Sequence, residues 1–134
     1  MSGLQSEDPF FPNTSILIVE DEHLVALYLK DIVDDLGFHC CGTAATAEDA
    51  LSAAELLRPT LVLVDIHLAG DRDGIALACE LRERLRIPVI FLSGALDSQT
   101  RRRAEAACSY GFLSKPCLED DVANALHSAL ERLR

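Results

Sequence analysis

A short apolar run near the middle of the chain constrains the fold more than any other feature. Four apolar residues, Leu61 to Val64, end at Asp65, and a polar loop containing His67 follows. An uninterrupted run of this length, closed by a turn signal, is typical of a strand that helices cover on both faces. Such strands form parallel sheets, which bind ligands beyond the carboxyl ends of their strands. The pattern places Asp65 at the mouth of a crevice. Taken alone, an aspartate that merely ends a strand is the simpler interpretation.

Strand-like and helix-like segments alternate along the rest of the chain. Apolar runs and helical periodicity predict strands at 16–19, 38–43, 61–65, 87–92 and 110–113, and helices at 25–36, 47–58, 73–85, 97–108 and 122–133. Short connections between them predict an α/β domain, a doubly wound five-stranded parallel sheet of order 2-1-3-4-5 with the flavodoxin-like arrangement. We expect the domain over residues 15–134 and a flexible leader over residues 1–14, where Phe10 and Phe11 stand between two prolines.

Length and charge narrow the classes of function. The 134 residues suit one domain, and 22 acidic against 12 basic side chains give a net charge of −10, which disfavours binding to nucleic acids or anionic membranes. No apolar run approaches the roughly 18 residues of a membrane span, and the N-terminus lacks a signal-peptide pattern. Five cysteines, an odd number without CxxC spacing, are typical of reduced thiols in a cytoplasmic protein.

Acidic residues follow two of the predicted strands. Glu20 and Asp21 come directly after the first strand, and Asp65 ends the third. Strands one and three are neighbours in the predicted order, about 4.8 Å apart, so these carboxylates can share one ligand. Carboxylates that close repel one another unless a cation holds them, and oxygen ligands select magnesium, calcium or manganese. No glycine-rich loop follows the first strand, which argues against a nucleotide-binding protein of this topology.

The last two predicted strands end in groups that suit an anion. Ser93 supplies a hydroxyl at the end of the fourth strand, and Gly94 beside it allows close backbone approach. The fifth strand leads into Lys115, one of two lysines in the chain, and its ammonium suits an anionic oxygen. A strand-end serine and a surface lysine are each unremarkable alone. Two acids, a hydroxyl and an amine at the ends of four parallel strands indicate a site.

These motifs, in this order and spacing, resemble a response-regulator receiver domain from about Ser15 to the C-terminus. The matching segments are Ile16 to Glu22, Leu63 to Ile66 with the later Asp73-Gly74, Phe91 to Gly94, and Phe112 to Pro116. The resemblance implies a stand-alone signalling switch of a two-component system or phosphorelay. Such a switch is not an enzyme, since it catalyses only its own phosphorylation and dephosphorylation.

The resemblance also assigns the acceptor and its metal. It implies that Asp65 accepts a phosphoryl group from the phosphohistidine of a histidine kinase or a histidine phosphotransfer protein. Asp21 and Asp65 are expected to bind Mg²⁺ directly, together with the backbone carbonyl of His67. Glu20 is expected to act on the metal through water.

The remaining residues of the resemblance concern the phosphoryl group and its effect. Ser93, Gly94 and Lys115 are expected to bind the phosphoryl oxygens, and Phe112 is expected to be the switch aromatic. The bond before Pro116 is expected to be cis. A homodimer through the fourth helix, fifth strand and fifth helix is a further expected partner.

The chain departs from the family pattern at several positions. The loop from Asp65 to Gly74 is one residue longer than the commonest form, and Ala69 stands where proline is usual. Ser93 replaces the more frequent threonine but keeps the hydroxyl. Cys117 stands where an aromatic residue is common, and we interpret it as a small buried residue rather than a redox sensor.

Two alternatives stay open at this point. One is a receiver-shaped binding module that acts without phosphorylation. The other is a magnesium-dependent phosphatase with an aspartyl nucleophile. The haloacid-dehalogenase type of that enzyme has a second aspartate two residues after the nucleophile, and His67 occupies that position here.

Overall fold

The computed structural model describes residues 13–68, 70, 73–94, 97–107 and 109–133. Most of the expected leader, with Phe10 and Phe11, lies outside these residues, and so do Ala69 and Cys108. Thr14, which we assigned to the leader, is buried, and its carbonyl accepts a hydrogen bond from the His39 N–H. Within the described ranges, no helix is long and apolar enough to cross a membrane.

Five parallel strands form one sheet, and their order confirms the prediction. The strands are β1 (Ser15–Val19), β2 (His39–Ala44), β3 (Leu61–Asp65), β4 (Val89–Ser93) and β5 (Phe112–Ser114). Their order across the sheet is β2-β1-β3-β4-β5. Asp65 pairs with Leu92, and Ser93 pairs with Ser114. The strand ends that carry the predicted site residues therefore lie at one edge of the sheet.

The connections between the strands are helical. The helices are α1 (His23–Asp35), α2 (Ala47–Leu57), α3 (Gly74–Glu80), which continues as a π-helical turn (Leu81–Leu85), α4 (Ser98–Ala106) and α5 (Glu119–Leu133). Thr46, Asp73 and Asp97 each accept a hydrogen bond from a backbone N–H of the first helical turn, at the starts of α2, α3 and α4. These contacts satisfy donors that a helix start leaves open.

The sheet separates two apolar cores, which explains why its central strands are apolar at every position. Alternate side chains of a strand point to opposite faces. Leu17, Val62 and Phe91 belong to the core on one face, together with residues of α2 and α3. The core on the other face contains Ile16 and Leu63, together with residues of α1 and α5. Both faces of the central strands are therefore covered.

Most element boundaries differ from the predicted ones by a few residues, and the differences at β4, β5 and the third helix have identifiable causes. β4 begins at Val89 rather than Ile87, because Pro88 has no N–H to donate to the sheet. β5 begins at Phe112 rather than Tyr110. Tyr110 and Gly111 hydrogen-bond to β4, but Gly111 has a φ of 156° and lies outside the strand. The last residues of the predicted third helix form the π-helical turn, which Arg86 closes in a left-handed conformation.

Gly74 determines how closely α3 approaches the end of β3. Its N–H donates a hydrogen bond to the Ile66 carbonyl at 2.9 Å. A Cβ atom added at Gly74 would clash with the backbone carbonyl of Asp65. Backbone atoms cannot move aside as the end of a flexible side chain can. Glycine at this position therefore sets the path of the chain on both sides of Asp65.

We predict that Gly74→Ala destabilises the domain by about 1–3 kcal/mol, the usual cost of overpacking a filled site. Urea unfolding would measure the change in the free energy of unfolding. Gly94→Ala is the matched control, because no described atom lies within 4 Å of a Cβ added there. Equal stability of the two variants would show that the close approach at Gly74 is unimportant.

Candidate functional site

The carboxyl ends of the strands bring the predicted site residues together. Glu20 and Asp21 follow β1 directly, and Asp65 is the last residue of β3. Ser93 ends β4, and Lys115 comes directly after β5. Because β3 lies between β1 and β4, Asp65 is the central residue of this group.

Three carboxylates form a compact acidic cluster. Oxygen atoms of Glu20, Asp21 and Asp65 lie within 4.8 Å of one another. Glu20 and Asp65 are buried, with 2% and 4% of their surface exposed, whereas Asp21 is exposed to solvent. The cluster is therefore buried on one side and accessible on the other, as a site that exchanges ligands with solvent must be.

Lys115 bridges the two buried carboxylates. Its Nζ lies 2.6 Å from Glu20 Oε1 and donates a hydrogen bond to Asp65 Oδ2 at 3.1 Å. Its backbone N–H donates to the Ser93 carbonyl at 2.7 Å, and the bond from Lys115 to Pro116 is cis. The site therefore brings three carboxylates together with one ammonium.

Backbone amides orient the carboxylates further. The N–H of His67 donates to Asp65 Oδ1 at 3.1 Å, so each oxygen of Asp65 has a donor. The N–H of Glu22 donates to Glu20 Oε2 at 3.1 Å. These contacts hold the Asp65 carboxylate in one orientation at the end of β3. The His67 side chain is exposed, and only its backbone takes part in these contacts.

The buried charges shift one another's protonation. Burial raises the pKa of Glu20, and the charge of Asp65 adds to this effect, whereas the Lys115 ammonium and the Glu22 N–H oppose it. Burial lowers the pKa of Lys115, but its contacts with Glu20 and Asp65 outweigh burial and raise the pKa overall. Lys115 therefore stays protonated at neutral pH.

The donor atoms of the cluster fit a hard divalent cation. Glu20 Oε1 is fully buried and accepts no hydrogen bond of normal geometry from the described residues. Its short contact with Lys115 is an ion pair whose geometry departs from that of a hydrogen bond. Mg²⁺, Ca²⁺ and Mn²⁺ all bind to sets of oxygen ligands such as these three carboxylates.

Comparison with known proteins agrees with this geometry. The family described as the response regulator receiver domain matches residues 16–127. The chain belongs to this family. Proteins of the family are signalling switches of two-component systems, in which they work with histidine kinases.

Curated relatives are response regulators that are longer than this receiver domain. The transcriptional regulatory protein PdtaR of Mycobacterium tuberculosis is 31% identical over 89% of this chain and 58% of its own length. The phyllosphere-induced regulator PhyR of Methylorubrum extorquens is 35% identical over 87% of this chain and 43% of its own length. The chain therefore spans about half the length of these relatives.

Solved structures show the same fold. The receiver domain of a modulated diguanylate cyclase from Desulfovibrio desulfuricans is 34% identical, with a TM-score of 0.83 and coverage of 88% of this chain and 94% of that one. The receiver domain of NtrX from Brucella abortus is 35% identical, with a TM-score of 0.79 and coverage of 87% and 98%. These likenesses support the flavodoxin-like topology of the receiver domain.

The residues expected to bind and read a phosphoryl group lie on β4 and β5 and directly after them. Ser93 is buried, and a Cβ added at the neighbouring Gly94 would meet no described atom within 4 Å. The Phe112 ring is half-buried. It lies 5.7 Å from the ring of Phe91, and the Arg101 guanidinium lies over its face at 5.5 Å.

The cysteines in the described residues have the properties of unreactive thiols. Cys40, Cys41, Cys79 and Cys117 are free. Burial raises the pKa of Cys40, Cys41 and Cys117, which lowers the fraction of reactive thiolate. Cys117 is buried, which confirms its interpretation as a small buried residue.

Sequence reasoning missed three contacts around the site. The Tyr28 hydroxyl donates to the Cys117 carbonyl, Arg103 pairs with Asp73, and Arg101 covers Phe112. The first two join residues that lie 89 and 30 positions apart in the sequence. No local pattern identifies such partners, because they depend on how each helix is turned against the sheet.

We predict that magnesium chloride raises the melting temperature of the receiver domain, because a divalent cation relieves repulsion that exists only in the folded cluster. Mass action gives about 2.7 kcal/mol at a hundred times the dissociation constant. Asp21→Asn should shrink the shift, measured by thermal unfolding across a magnesium titration. Asp31→Asn, which removes an exposed carboxylate from α1, is the control and should keep the full shift. A melting temperature that magnesium leaves unchanged would contradict the metal site.

The magnesium-induced shift should also depend on pH. Metal binding requires deprotonated carboxylates, so protons compete with the metal. Because the pKa of Glu20 is raised above its ordinary value of 4.5, this competition should begin at a pH above 4.5 as the solution is acidified. Thermal melts at constant magnesium over a pH series would measure it. Glu20→Gln should move the loss to lower pH.

Proposed function

We propose that Asp65 accepts a phosphoryl group from a phosphohistidine and that the chain signals through the resulting change in conformation. The arrangement of Asp65 is the observation that carries the proposal. Its carboxylate ends the central strand, with the His67 N–H on one oxygen and Lys115 on the other, and the Ser93 hydroxyl is on the neighbouring strand. A nucleophile and groups that suit an anionic oxygen therefore lie on one rigid edge.

The transfer is a displacement at phosphorus. An Asp65 carboxylate oxygen attacks, and a P–O bond forms as the P–N bond to the donor imidazole breaks. The electron pair of the broken bond stays on the imidazole nitrogen, which takes up a proton. A carboxylate is ionised at neutral pH in general and needs no general base. The charged Lys115 ammonium and the Ser93 hydroxyl are placed to bind oxygens of the transferred group.

The proposed cofactor is Mg²⁺. Asp21 and Asp65 would hold it directly with the His67 carbonyl, and Glu20 would act through water. When bound, the ion neutralises negative charge on the transferring phosphoryl group. The oxygen-only donor set and the buried Glu20 Oε1 support this assignment.

The proposed phosphodonor is a histidine kinase or a histidine phosphotransfer protein. Apolar side chains stand exposed on the elements that begin beside the site, with Leu24 of α1 78% exposed and Leu118, which precedes α5, 65% exposed. Exposed apolar groups next to a reactive centre suit a protein partner.

Self-association through α4, β5 and α5 is the second proposed contact. The phosphatase alternative of the haloacid-dehalogenase type needs an aspartate two residues after Asp65. His67 occupies that position, which favours the signalling switch.

We predict that Asp65→Asn abolishes the gain of one phosphoryl mass on incubation with acetyl phosphate and magnesium, because the amide is not a nucleophile for this transfer. Intact-mass analysis would measure the gain. Asp73→Asn is the matched control, since the Asp73 carboxylate caps α3 and pairs with Arg103 instead. Persistence of the label in Asp65→Asn would move the acceptor to another residue.

We propose that Phe112 reads the modification. A phosphoryl oxygen that draws in the Ser93 hydroxyl vacates space, into which the Phe112 ring can turn away from Arg101. The surface formed by α4, β5 and α5 changes with it.

Beryllium trifluoride, a phosphoryl mimic, should therefore change hydrogen exchange at Phe112 and at Arg101 to Arg103 when magnesium is present. Asp65→Asn treated in the same way is the control and should show no change. Changes confined to the loops around Asp21 and Asp65, with none near Phe112, would exclude this coupling.

A further inference from the structure

A hydrogen bond joins α1 to the turn that carries Lys115. The Tyr28 hydroxyl donates to the backbone carbonyl of Cys117 at 2.8 Å, across 89 positions of sequence. Cys117 lies two residues after Lys115, on the other side of Pro116. Tyr28 is therefore tied to the backbone close to the lysine that contacts Asp65.

The turn has a second and a third restraint, but neither fixes it against α1. The Lys115 N–H donates to the Ser93 carbonyl, which ties the start of the turn to β4. The Cys117 thiol donates to the Ser114 carbonyl at 3.2 Å, within the turn itself. The Tyr28 hydroxyl therefore restrains the turn toward α1, which these two contacts do not do.

Packing between α1 and the turn is incomplete, although Cys117 and Leu29 share one buried core. A cavity of about 290 Å³ lies between α1 and the turn, lined by the apolar side chains of Val25, Leu29 and Leu92 as well as by Tyr28 and Lys115. This pocket opens to the surface and has room for water, so part of the boundary between α1 and the turn is not closed by side-chain packing. The directional hydrogen bond from Tyr28 adds a restraint on the turn beside the core packing of Cys117.

We propose that Tyr28 is a positioning residue for phosphorylation: its hydroxyl holds the turn so that the Lys115 ammonium points at Asp65. The inference rests on the proposed function, since it concerns the same transfer. Without the hydroxyl, the turn can move into the cavity and Lys115 spends less time where a transferring phosphoryl oxygen would be. A misplaced charge loses stabilisation of the transition state even when folding is unaffected.

The test is the initial rate of phosphoryl gain from acetyl phosphate in magnesium, followed by intact mass. Acetyl phosphate is small, so no protein partner on α1 contributes. Tyr28→Phe removes only the hydroxyl and should slow the reaction about threefold to tenfold, the range that one lost hydrogen bond gives when it acts on the transition state. Tyr110→Phe is the matched control. Phenylalanine keeps the ring on which Arg132 stacks, and the rate should not change.

A double-mutant cycle separates positioning from a general structural effect. In a Lys115→Ala background there is no ammonium to position, so adding Tyr28→Phe should leave the rate unchanged. The magnesium-induced rise in melting temperature should also persist in Tyr28→Phe, because the three carboxylates directly follow β1 or end β3.

The outcomes distinguish this proposal from the function on which it rests. An unchanged rate in Tyr28→Phe, or an equal slowing in the Lys115→Ala background, would overturn the positioning role alone. A wild-type chain that gains no phosphoryl mass would overturn the proposed function and this inference with it.

Discussion

One ammonium between two buried carboxylates is the interaction on which the site depends. Lys115 Nζ lies 2.6 Å from Glu20 and 3.1 Å from Asp65. An unpaired buried carboxylate costs several kcal/mol, so neither acid could sit at a buried strand end without a cation nearby. The lysine comes from the turn after β5, and it reaches both acids only because the sheet places β1, β3 and β5 in one plane with their ends aligned. The buried acids therefore depend on Lys115, and Lys115 depends on the strand order to reach them.

The cluster holds three carboxylates and one ammonium, which distinguishes it from a simple ion pair. In the proposed function, a phosphoryl group on Asp65 would add negative charge to this cluster. The proposed divalent cation would offset that charge. Phosphorylation at Asp65 Oδ2 would alter the contact that Lys115 makes there, and so would couple the proposed chemistry to the turn after β5.

The sequence predicted the sheet order and the residues at its edge, because each strand is a continuous apolar run and each site residue follows one directly. Burial on both faces leaves little freedom in where such strands end. Contacts between separate elements were beyond prediction. Tyr28 shows no sign in the sequence that its hydroxyl meets Cys117, and nothing local places Arg101 over Phe112. These contacts depend on helix rotations of a few tens of degrees, which apolar periodicity specifies only coarsely.

The energy available to the switch limits how far phosphorylation alone can move it. Converting a population of about 1:99 to about 99:1 needs about 5.5 kcal/mol of differential stabilisation, whereas one new hydrogen bond supplies about 0.5–1.5 kcal/mol. Phe112 has no hydroxyl, so its two positions differ only in packing and in the contact with Arg101, which is exposed and worth about 0.5–1 kcal/mol. In the proposed mechanism, phosphorylation alone would shift the population only in part, and a partner that binds the surface of α4, β5 and α5 would supply the remainder.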